Sequence, residues 1–274
     1  MTKKKRKKFD VNTGHPLDIV VTTAGRYDIL EKCLESLENQ TVKTFNICLI
    51  DGNEDVTERN KHRPLLEKYQ AKMLGQNVGF PRLANEGSRM GKSPLILFLS
   101  DDVILPVDAI EKMLVDMKEE SIGIMGIKLL FPEDSVDAGR PAGKVQHVGI
   151  GMDVQANVIH PLVGWSADNP KCCISRDMFA VTGACILVRR NLFDKIGGFD
   201  VDYGLGTYED ISLCLAVRSM GKRVYLDADI IGYHHVGATA QKKKIGFPLQ
   251  QNKLIFTAKW SPSGLFQFDS WRFY

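Results

Sequence analysis

The feature that most constrains the fold is an alternation of apolar runs and helix-like stretches over the first 117 residues. Apolar runs cover residues 18–23, 45–51 and 94–100, and residues 71–74 form a shorter one. Strands of a parallel sheet read as continuous apolar runs because both of their faces are buried. Between and after these runs, apolar residues recur at helical spacing in residues 27–39, 57–70, 81–90 and 106–117. The alternation therefore predicts an α/β fold with a mostly parallel sheet and helices on both faces.

The second half of the chain has a different pattern. Residues 121–190 predict short strands separated by Gly and Pro turns, without a long helix. Helices are then predicted at 191–196 and 208–220, and strands at 223–226 and 230–235. No segment has the composition of a linker, so we expect the two halves to form one continuous fold.

The charge of the chain is concentrated at its N-terminus. The formal net charge is +3, and the run Lys3–Lys8 contributes six positive charges, which leaves the remainder at −3. Bulk charge therefore gives no reason to expect a nucleic-acid-binding body. We interpret residues 1–16 as a basic, disordered arm. Contact of residues 3–8 with an anionic membrane surface, contact with nucleic acid, and a targeting signal are left open as alternatives.

Cysteine usage and hydropathy bear on the compartment. The six cysteines form no CxxC pair, which favours buried free thiols in a reducing environment. No apolar run approaches the roughly 20 residues that span a bilayer, and the N-terminus lacks the apolar stretch of a signal peptide. We therefore expect a cytoplasmic protein, with peripheral contact at the inner membrane face left open.

Polar residues end the predicted strands, where functional groups of a parallel sheet are expected. Ser100, Asp101 and Asp102 close the strand 94–100. Adjacent carboxylates repel each other unless a cation is present, and Mg²⁺ or Mn²⁺ prefers oxygen ligands. A helix cap is the alternative, but three residues separate Asp102 from Pro106. The residues themselves thus favour metal binding.

Three further groups of residues indicate a functional role less clearly, because each also has a structural interpretation. The segment Asn77–Gly79 precedes Arg82 and Asn85 and allows close approach to an anion, although an ordinary loop is an equal alternative. The pair Glu209–Asp210 opens a predicted helix, where the helix dipole alone would favour acidic residues. The pair His234–His235 ends a predicted strand and is consistent with a metal or phosphate ligand or with a structural histidine.

The ordered set of these motifs resembles family 2 of the GT-A glycosyltransferases, in particular rhamnosyltransferase-like inverting enzymes. The resemblance covers about residues 17–240, with 17–118 as the nucleotide-sugar-binding half and 119–240 as the acceptor and catalytic half. It rests on the segments VVTTAGRYDILEKCLESLENQT, LIDGNED, NVGFPRLANEG, LFLSDDVIL, VTGACILVRRNLFDKIGGFD and YEDISLCLAVRSMGKRVYLDADIIGYHHVGAT. A C-terminal helix and an aromatic tail are expected within residues 241–274.

The resemblance implies roles for individual residues. Asp210 would be the catalytic base, with Glu209 beside it. Asp102 would bind Mn²⁺ or Mg²⁺, together with His235 or, as the less favoured choice, His234. The acceptor would meet Gly183 and Ala184. Independently of the resemblance, the aromatic ring of Trp165 is suited to stack on an acceptor sugar, with a core residue as the alternative. The nucleotide sugar would be bound by Thr22, Thr23, Ala24, Arg26, Asp51, Asn77, Gly79, Arg82, Asn85, Ser100 and Asp101. Ser100 departs from the family pattern, which has aspartate at the first position of the D-x-D motif.

The implied function is transfer of a sugar, with inversion, from a nucleoside-diphosphate sugar to a glycan, glycolipid or protein acceptor in polysaccharide or glycoconjugate biosynthesis. Two alternatives are kept. The basic arm could hold DNA, as in viral enzymes that glycosylate modified bases. The Ser100 departure would also suit an inactive scaffold that binds nucleotide sugars. A basic loop at 236–246 is expected to close over the diphosphate, and the aromatic tail leaves a homodimer contact open.

Overall fold

The computed structural model describes residues 14–135, 139–153, 155–235 and 246–265. Three features predicted from the sequence fall wholly or largely outside these ranges. They are the basic arm with its lysine run, the loop 236–246 apart from its last residue, and the aromatic tail from Phe266 to Tyr274.

The described chain alternates strands and helices in its first half and is richer in strands in its second. The strands are β1 (Leu17–Thr23), β2 (Phe45–Asp51), β3 (Lys72–Met73), β4 (Leu95–Ser100), β5 (Val103–Ile104), β6 (Ile122–Leu130), β7 (Val145–His147), β8 (Gly151–Met152), β9 (Val158–Ile159), β10 (Arg176–Asp177), β11 (Cys185–Arg189) and β12 (Arg223–His234). The α-helices are α1 (Tyr27–Glu38), α2 (Val56–Lys61), α3 (Arg63–Lys68), α4 (Phe80–Ser88), α5 (Ala109–Asp116), α6 (Arg190–Ile196), α7 (Glu209–Ser219) and α8 (Leu249–Trp260).

One mixed sheet organises the molecule. Its main path runs in the order β10-β12-β6-β11-β4-β1-β2-β3, with β5 paired to β12 and β7 paired to β6. Strands β3, β2, β1 and β4 are parallel, as are β6 and β12, whereas β11 is antiparallel to both β4 and β6. The start of β11 therefore lies at the same edge of the sheet as the ends of β1, β4 and β12. The predicted α/β class with a mostly parallel sheet is confirmed.

The two faces of the sheet are covered by two apolar clusters. Alternate residues of a strand point to opposite faces, so Val20 belongs to one cluster while Ile19 and Val21 belong to the other. Helices α1 and α5 pack on the face of Ile19 and Val21. Helices α6, α7 and α8 pack on the opposite face. This two-sided burial explains why β1 and β4 read as continuous apolar runs in the sequence.

The structure differs from the sequence predictions in four places. The predicted helix 57–70 is two helices that meet at His62, because Pro64 lies in the first turn of α3, where its missing N–H costs nothing. Helix α5 begins at Ala109 rather than at Pro106. Within the stretch predicted to hold only short strands, β6 is a continuous nine-residue strand. The two strands predicted at 223–226 and 230–235 are the single strand β12, whose register shifts between Asp227 and Ile231.

The expectations about the cysteines and about membrane-spanning segments can be compared with the described part of the chain. All six cysteines lie within it and are free, five of them buried. None of its helices has both the length and the apolar composition needed to cross a membrane.

Candidate active site

A pocket of about 410 Å³ opens at the carboxyl edge of the parallel strands. Its floor is formed where β1 and β4 end, and β11 begins beside them. The turn before α7 and the last residue of β12 close two of its sides. The pocket brings together twelve of the residues singled out in the sequence: Thr22, Thr23, Ala24, Asn77, Ser100, Asp101, Asp102, Gly183, Ala184, Glu209, Asp210 and His234.

The acidic pair after β4 is buried at this edge. Asp101 and Asp102 are 6% and 7% exposed, respectively. Oδ2 of Asp101 has no hydrogen-bond partner among the described residues. Burial, and then the charge of Asp102, raise the pKa of Asp101 to about 8. One carboxylate of the pair therefore holds a proton near neutral pH unless a cation is bound beside it.

His234, not His235, faces this acidic pair. Nε2 of His234 lies 3.2 Å from Oδ1 of Asp102, and its Nδ1 lies 3.2 Å from Oε1 of Gln146. His235 uses its backbone N–H to donate to the carbonyl oxygen of Asp102 at 2.9 Å, and its ring does not line the pocket. The preference for His235 is therefore corrected. The two histidines are adjacent, and β12 directs only the first of them into the site.

The second acidic pair lies at the start of α7, after a strained turn. Thr207 and Tyr208 have φ values of +80° and +69°, which non-glycine residues adopt only when the surrounding structure holds them. From the far side of the turn, Nδ2 of Asn252 donates to the carbonyl oxygens of Tyr203 and Gly206 at 2.9 and 2.7 Å. Helix α8 thus fixes the backbone that presents both carboxylates.

The two carboxylates of this pair are held differently. Asp210 accepts backbone N–H bonds from Gly183 at 2.9 Å and from Ile211 at 2.8 Å. Oε2 of Glu209 is buried without a partner in the part of the chain that the structure describes. Burial, and then the charge of Asp210, raise the pKa of Glu209 to about 8. Backbone donors favour the ionised form, so the negative charge of the pair resides on Asp210.

Three residues predicted to bind the nucleotide sugar have structural partners instead of lining the pocket. Both oxygens of Asp51 are occupied, one by the backbone N–H of Asn53 and one by the hydroxyl of Tyr27, each at 2.8 Å. The side chain of Asn85 bonds both the N–H and the carbonyl of Phe199, at 2.9 and 2.8 Å. At Gly79, a Cβ would lie 2.0 Å from the carbonyl oxygen of Gly204, so this glycine allows two loops to approach closely.

Three further predicted residues also lie outside the pocket. Arg26 is paired with Asp28, which chiefly raises its pKa, although the charges of Asp101 and Asp102 also contribute. Arg82 faces a separate surface hollow. Trp165 is 43% exposed, so it is neither a core residue nor part of the pocket.

Several residues of the site were not predicted from the sequence. Phe80, Leu83, Thr182, Leu205, Gly206, Thr207 and Phe247 complete the lining. Phe80 also packs edge-on against Phe199 at 5.1 Å. Glycine and small polar residues on either side of the Glu209–Asp210 pair were the only local signal for the turn. Gln146 and Asn252 act through partners that are 88 and 45 or more residues distant, respectively, which a local pattern cannot reveal.

The side chains that line the pocket can be compared with the ligands that a divalent cation requires. In the described ranges, no group of three or more His, Cys, Asp and Glu side chains could hold a metal alone. The Asp102 carboxylate and the His234 imidazole nevertheless face each other at 3.2 Å, and Asp101, which has an unpaired oxygen, lines the same pocket. Mn²⁺ and Mg²⁺ commonly take one or two protein ligands and complete their shell with phosphate and water. The residues fit an ion of that kind.

Comparison with known proteins identifies the family. The family model described as Glycosyl transferase family 2 matches residues 18–197, well over half of the chain. The chain belongs to glycosyl transferase family 2. Membership in this family makes it a glycosyltransferase, and the matched segment contains the ends of β1 and β4 and the start of β11.

Relatives and structures agree with the family 2 assignment. The chain is 27% identical over 256 residues to the O-antigen biosynthesis protein RfbC of Myxococcus xanthus, covering 88% of this chain and 19% of that protein. It therefore spans about a fifth of the length of that relative. A crystal structure of GalNAc-T7 with UDP, GalNAc and Mn²⁺ aligns with a TM-score of 0.61 at 13% identity, covering 82% of this chain and 44% of the other.

A second solved structure covers more of both chains. The mannosyltransferase PcManGT from Pyrobaculum calidifontis, in complex with GDP-Man and Mn²⁺, aligns with a TM-score of 0.58 at 15% identity. The alignment covers 92% of this chain and 72% of that one. At these identities the alignments show the fold alone, which is the GT-A fold.

Proposed function

We propose that this family 2 domain transfers a sugar, with inversion, from a nucleoside-diphosphate sugar to an acceptor hydroxyl, with Asp210 as the general base. The observation that carries the proposal is the placement of Asp210. It is a carboxylate fixed by two backbone N–H groups and facing the same 410 Å³ pocket as the acidic pair of Asp101 and Asp102. Such a pocket can hold an acceptor at one end and a diphosphate at the other.

In this mechanism Asp210 accepts the proton of the acceptor hydroxyl while that oxygen attacks the anomeric carbon. The nucleoside diphosphate leaves from the opposite face of the sugar, so the configuration inverts. The bond from the Gly183 N–H keeps the carboxylate aimed, and the proton held by Glu209 leaves the charge of the pair on Asp210. Such a general base typically contributes about 10²–10⁴ in rate.

At the other end of the pocket, Asp102 and His234 would hold Mn²⁺ or Mg²⁺. When bound, the ion would neutralise negative charge on the departing diphosphate. We assign to Asp101, which has an unpaired oxygen and lines the same pocket, the role of compensating for serine at position 100. Of the two aligned structures, one contains UDP, GalNAc and Mn²⁺ and the other GDP-Man and Mn²⁺, which supports a nucleotide-sugar donor and a divalent cation here.

For the acceptor, we propose only its chemical class. The relationship to an O-antigen biosynthesis protein supports a glycan or glycolipid acceptor. The alternative of a DNA acceptor depended on the basic arm, which lies outside the described residues. Nothing in the pocket itself favours it.

The first experiment is a donor screen by thermal shift, using UDP-, GDP-, TDP- and CMP-sugars with and without Mn²⁺. We expect one nucleotide to stabilise the protein only when Mn²⁺ is present. The absence of a shift with every donor would contradict a nucleotide-sugar site in this pocket, whether the protein is active or an inactive scaffold.

The second experiment measures transfer by Asp210→Asn with the donor so identified. We expect the transfer rate to fall by about 10²–10⁴ while the donor still shifts the melting temperature, because the base contacts the acceptor. Asp108→Asn is the matched control, since Asp108 is a surface residue paired with Lys112. Full activity in Asp210→Asn would remove this residue as the base, and a product with retained anomeric configuration would exclude the single displacement.

A further inference from the structure

Behind His234 lies Gln146, which no motif indicated. Gln146 is in the middle of β7, is 9% exposed, and places Oε1 3.2 Å from Nδ1 of His234. Strand β7 pairs with β6, which in turn pairs with β12, the strand that ends at His234. The contact therefore joins two elements of one sheet, where backbone bonds fix the separation of the two side chains.

The chemistry of this contact determines the tautomer of the imidazole. A carbonyl oxygen only accepts hydrogen bonds, so Nδ1 must carry the hydrogen. In the neutral ring the other nitrogen, Nε2, then has a lone pair and no hydrogen. Nε2 faces Oδ1 of Asp102 at 3.2 Å, which is also an acceptor. Two acceptors that face each other at this distance repel, and a cation that binds both relieves the repulsion.

We propose that Gln146 is a positioning residue that holds His234 in the Nδ1–H tautomer and so presents Nε2, together with Asp102, to the divalent cation of the donor complex. The inference rests on the proposed function, because it assumes that this end of the pocket binds the cation. Histidine ligands of metals generally donate their second N–H to an acceptor that fixes ring orientation, and loss of that acceptor weakens metal affinity by about 10–100-fold.

The next residue of β7 supports the opposite side of the pocket. Nε2 of His147 accepts the backbone N–H of Thr182 at 3.4 Å, and this histidine is fully buried. Thr182 and Gly183 lead into β11, and Gly183 donates to Asp210. Adjacent side chains of β7 thus contact the metal-side histidine and the acceptor-side segment, so β7 orients both.

The test compares two substitutions of Gln146, one that keeps a hydrogen-bond acceptor near Nδ1 of His234 and one that removes it. Gln146→Glu keeps an acceptor oxygen, whereas Gln146→Met keeps the length of the side chain and removes the acceptor. Mn²⁺ affinity is measured by electron paramagnetic resonance in the presence of UDP or GDP, whichever stabilises the protein. We expect Gln146→Met to weaken Mn²⁺ binding by about 10–100-fold and Gln146→Glu to stay within a few-fold of the parent.

A second readout observes the tautomer without metal or turnover. In protein labelled with ¹⁵N-histidine, the His234 signals, assigned with His234→Asn, should show the Nδ1–H form in the parent and in Gln146→Glu. The Nε2–H form should gain population in Gln146→Met. If the amide is rotated and donates to Nδ1, the parent will show the Nε2–H form, and neither Gln146→Met nor Gln146→Glu will weaken Mn²⁺ binding. Either result overturns the proposal.

Asp102→Asn distinguishes failure of this inference from failure of the proposed function. If Asp102→Asn leaves Mn²⁺ binding unchanged, the cation does not bind at this end of the pocket and both proposals fail. If Asp102→Asn abolishes binding while Gln146→Met does not affect it, only the positioning role of Gln146 is wrong.

Discussion

One buried carboxylate, that of Asp18, joins the start of β1 to the second half of the chain. It accepts the backbone N–H and the hydroxyl of Ser93, each at 2.8 Å, and a guanidinium N–H of Arg190 at 2.7 Å. Asn46 donates to it from β2. Asp18 is fully buried, and Arg190 also donates to the carbonyl oxygens of Ser88 and Ser93.

We expect Asp18→Ala to lower the free energy of unfolding by about 3–5 kcal/mol, because removal of one partner leaves a buried charge uncompensated. Glu67→Ala is the control, since Glu67 pairs with Arg63 where both side chains are more than 60% exposed. Such exposed pairs contribute at most about 1 kcal/mol. Urea unfolding at neutral pH measures both variants. Equal losses in the two would show that the Asp18 network contributes no more than a surface pair.

At this scale the sequence predicted the types of residue in the site better than their partners. The strand-end residues Ser100 to Asp102 and the pair Glu209–Asp210 were found from local pattern and family resemblance, and they do line one pocket. Asp51 and Asn85 looked equally suited to ligand binding. Their hydrogen-bond partners, 24 and 114 residues away along the chain, became visible only once the chain was folded.

Among the elements, α8 has the clearest link to the turn that precedes α7. The amide of Asn252 is 1% exposed and its donors are used entirely on the backbone and hydroxyl of residues 203–207. Positive φ at a non-glycine residue costs roughly 1–3 kcal/mol, so Thr207 and Tyr208 need such bonds to keep their conformation. A second link is the indole N–H of Trp260, which donates to Oγ of Ser212 on α7 at 2.9 Å.

We expect Asn252→Ala to lower kcat by about 10–100-fold, since small displacements of a catalytic group have effects of that size. Donor affinity should change little, because the Asn252 amide bonds residues 203–207 and not the ends of β1 and β4, where we propose that the donor binds. Gln251→Ala, on the exposed side of the same helix, is the matched control. Hydrogen exchange over residues 203–212 should accelerate only in Asn252→Ala. Unchanged exchange and kcat there would contradict a clamping role for α8.

Element prediction was good in the first half and weaker in the second for a physical reason. Apart from Asp18 and Asn46, strands β1, β2 and β4 are apolar up to their polar ends, because both of their faces are covered. In β6, Gly126 and Lys128 interrupt the run, yet Gly126 is required because a Cβ there would lie 2.7 Å from Cβ of Val181. In β12, the polar residues around the register shift at Asp227 made one strand look like two.

For the whole molecule, the order of strands shows that the two halves of the chain are not separate folding units. Strand β11 from the second half lies between β4 of the first half and β6, so it provides the partner of β4 on that side. Arg190, at the start of α6, reaches back to Asp18 in β1. The two halves of the chain share one sheet and two common apolar clusters.

We therefore expect the chain to unfold in one transition, with circular dichroism and tryptophan fluorescence giving the same midpoint. A fragment of residues 14–118 should lack the circular dichroism of a folded domain, since its β4 edge and one apolar face would be uncovered. A fragment that unfolds cooperatively by itself, or two separated midpoints in the full chain, would show that the halves fold independently.

The position of α8 in the chain sets the order in which the protein becomes competent during synthesis. The ribosome delivers the donor-binding strand ends first, and every carboxylate of the pocket has emerged by Asp210. A nascent chain that has emerged only to His235 would hold the complete set of acidic residues but not Asn252, the side chain that keeps residues 207 and 208 in place. The acidic residues of the pocket thus precede α8 along the chain, and the turn at residues 207 and 208 is held only after α8 has emerged.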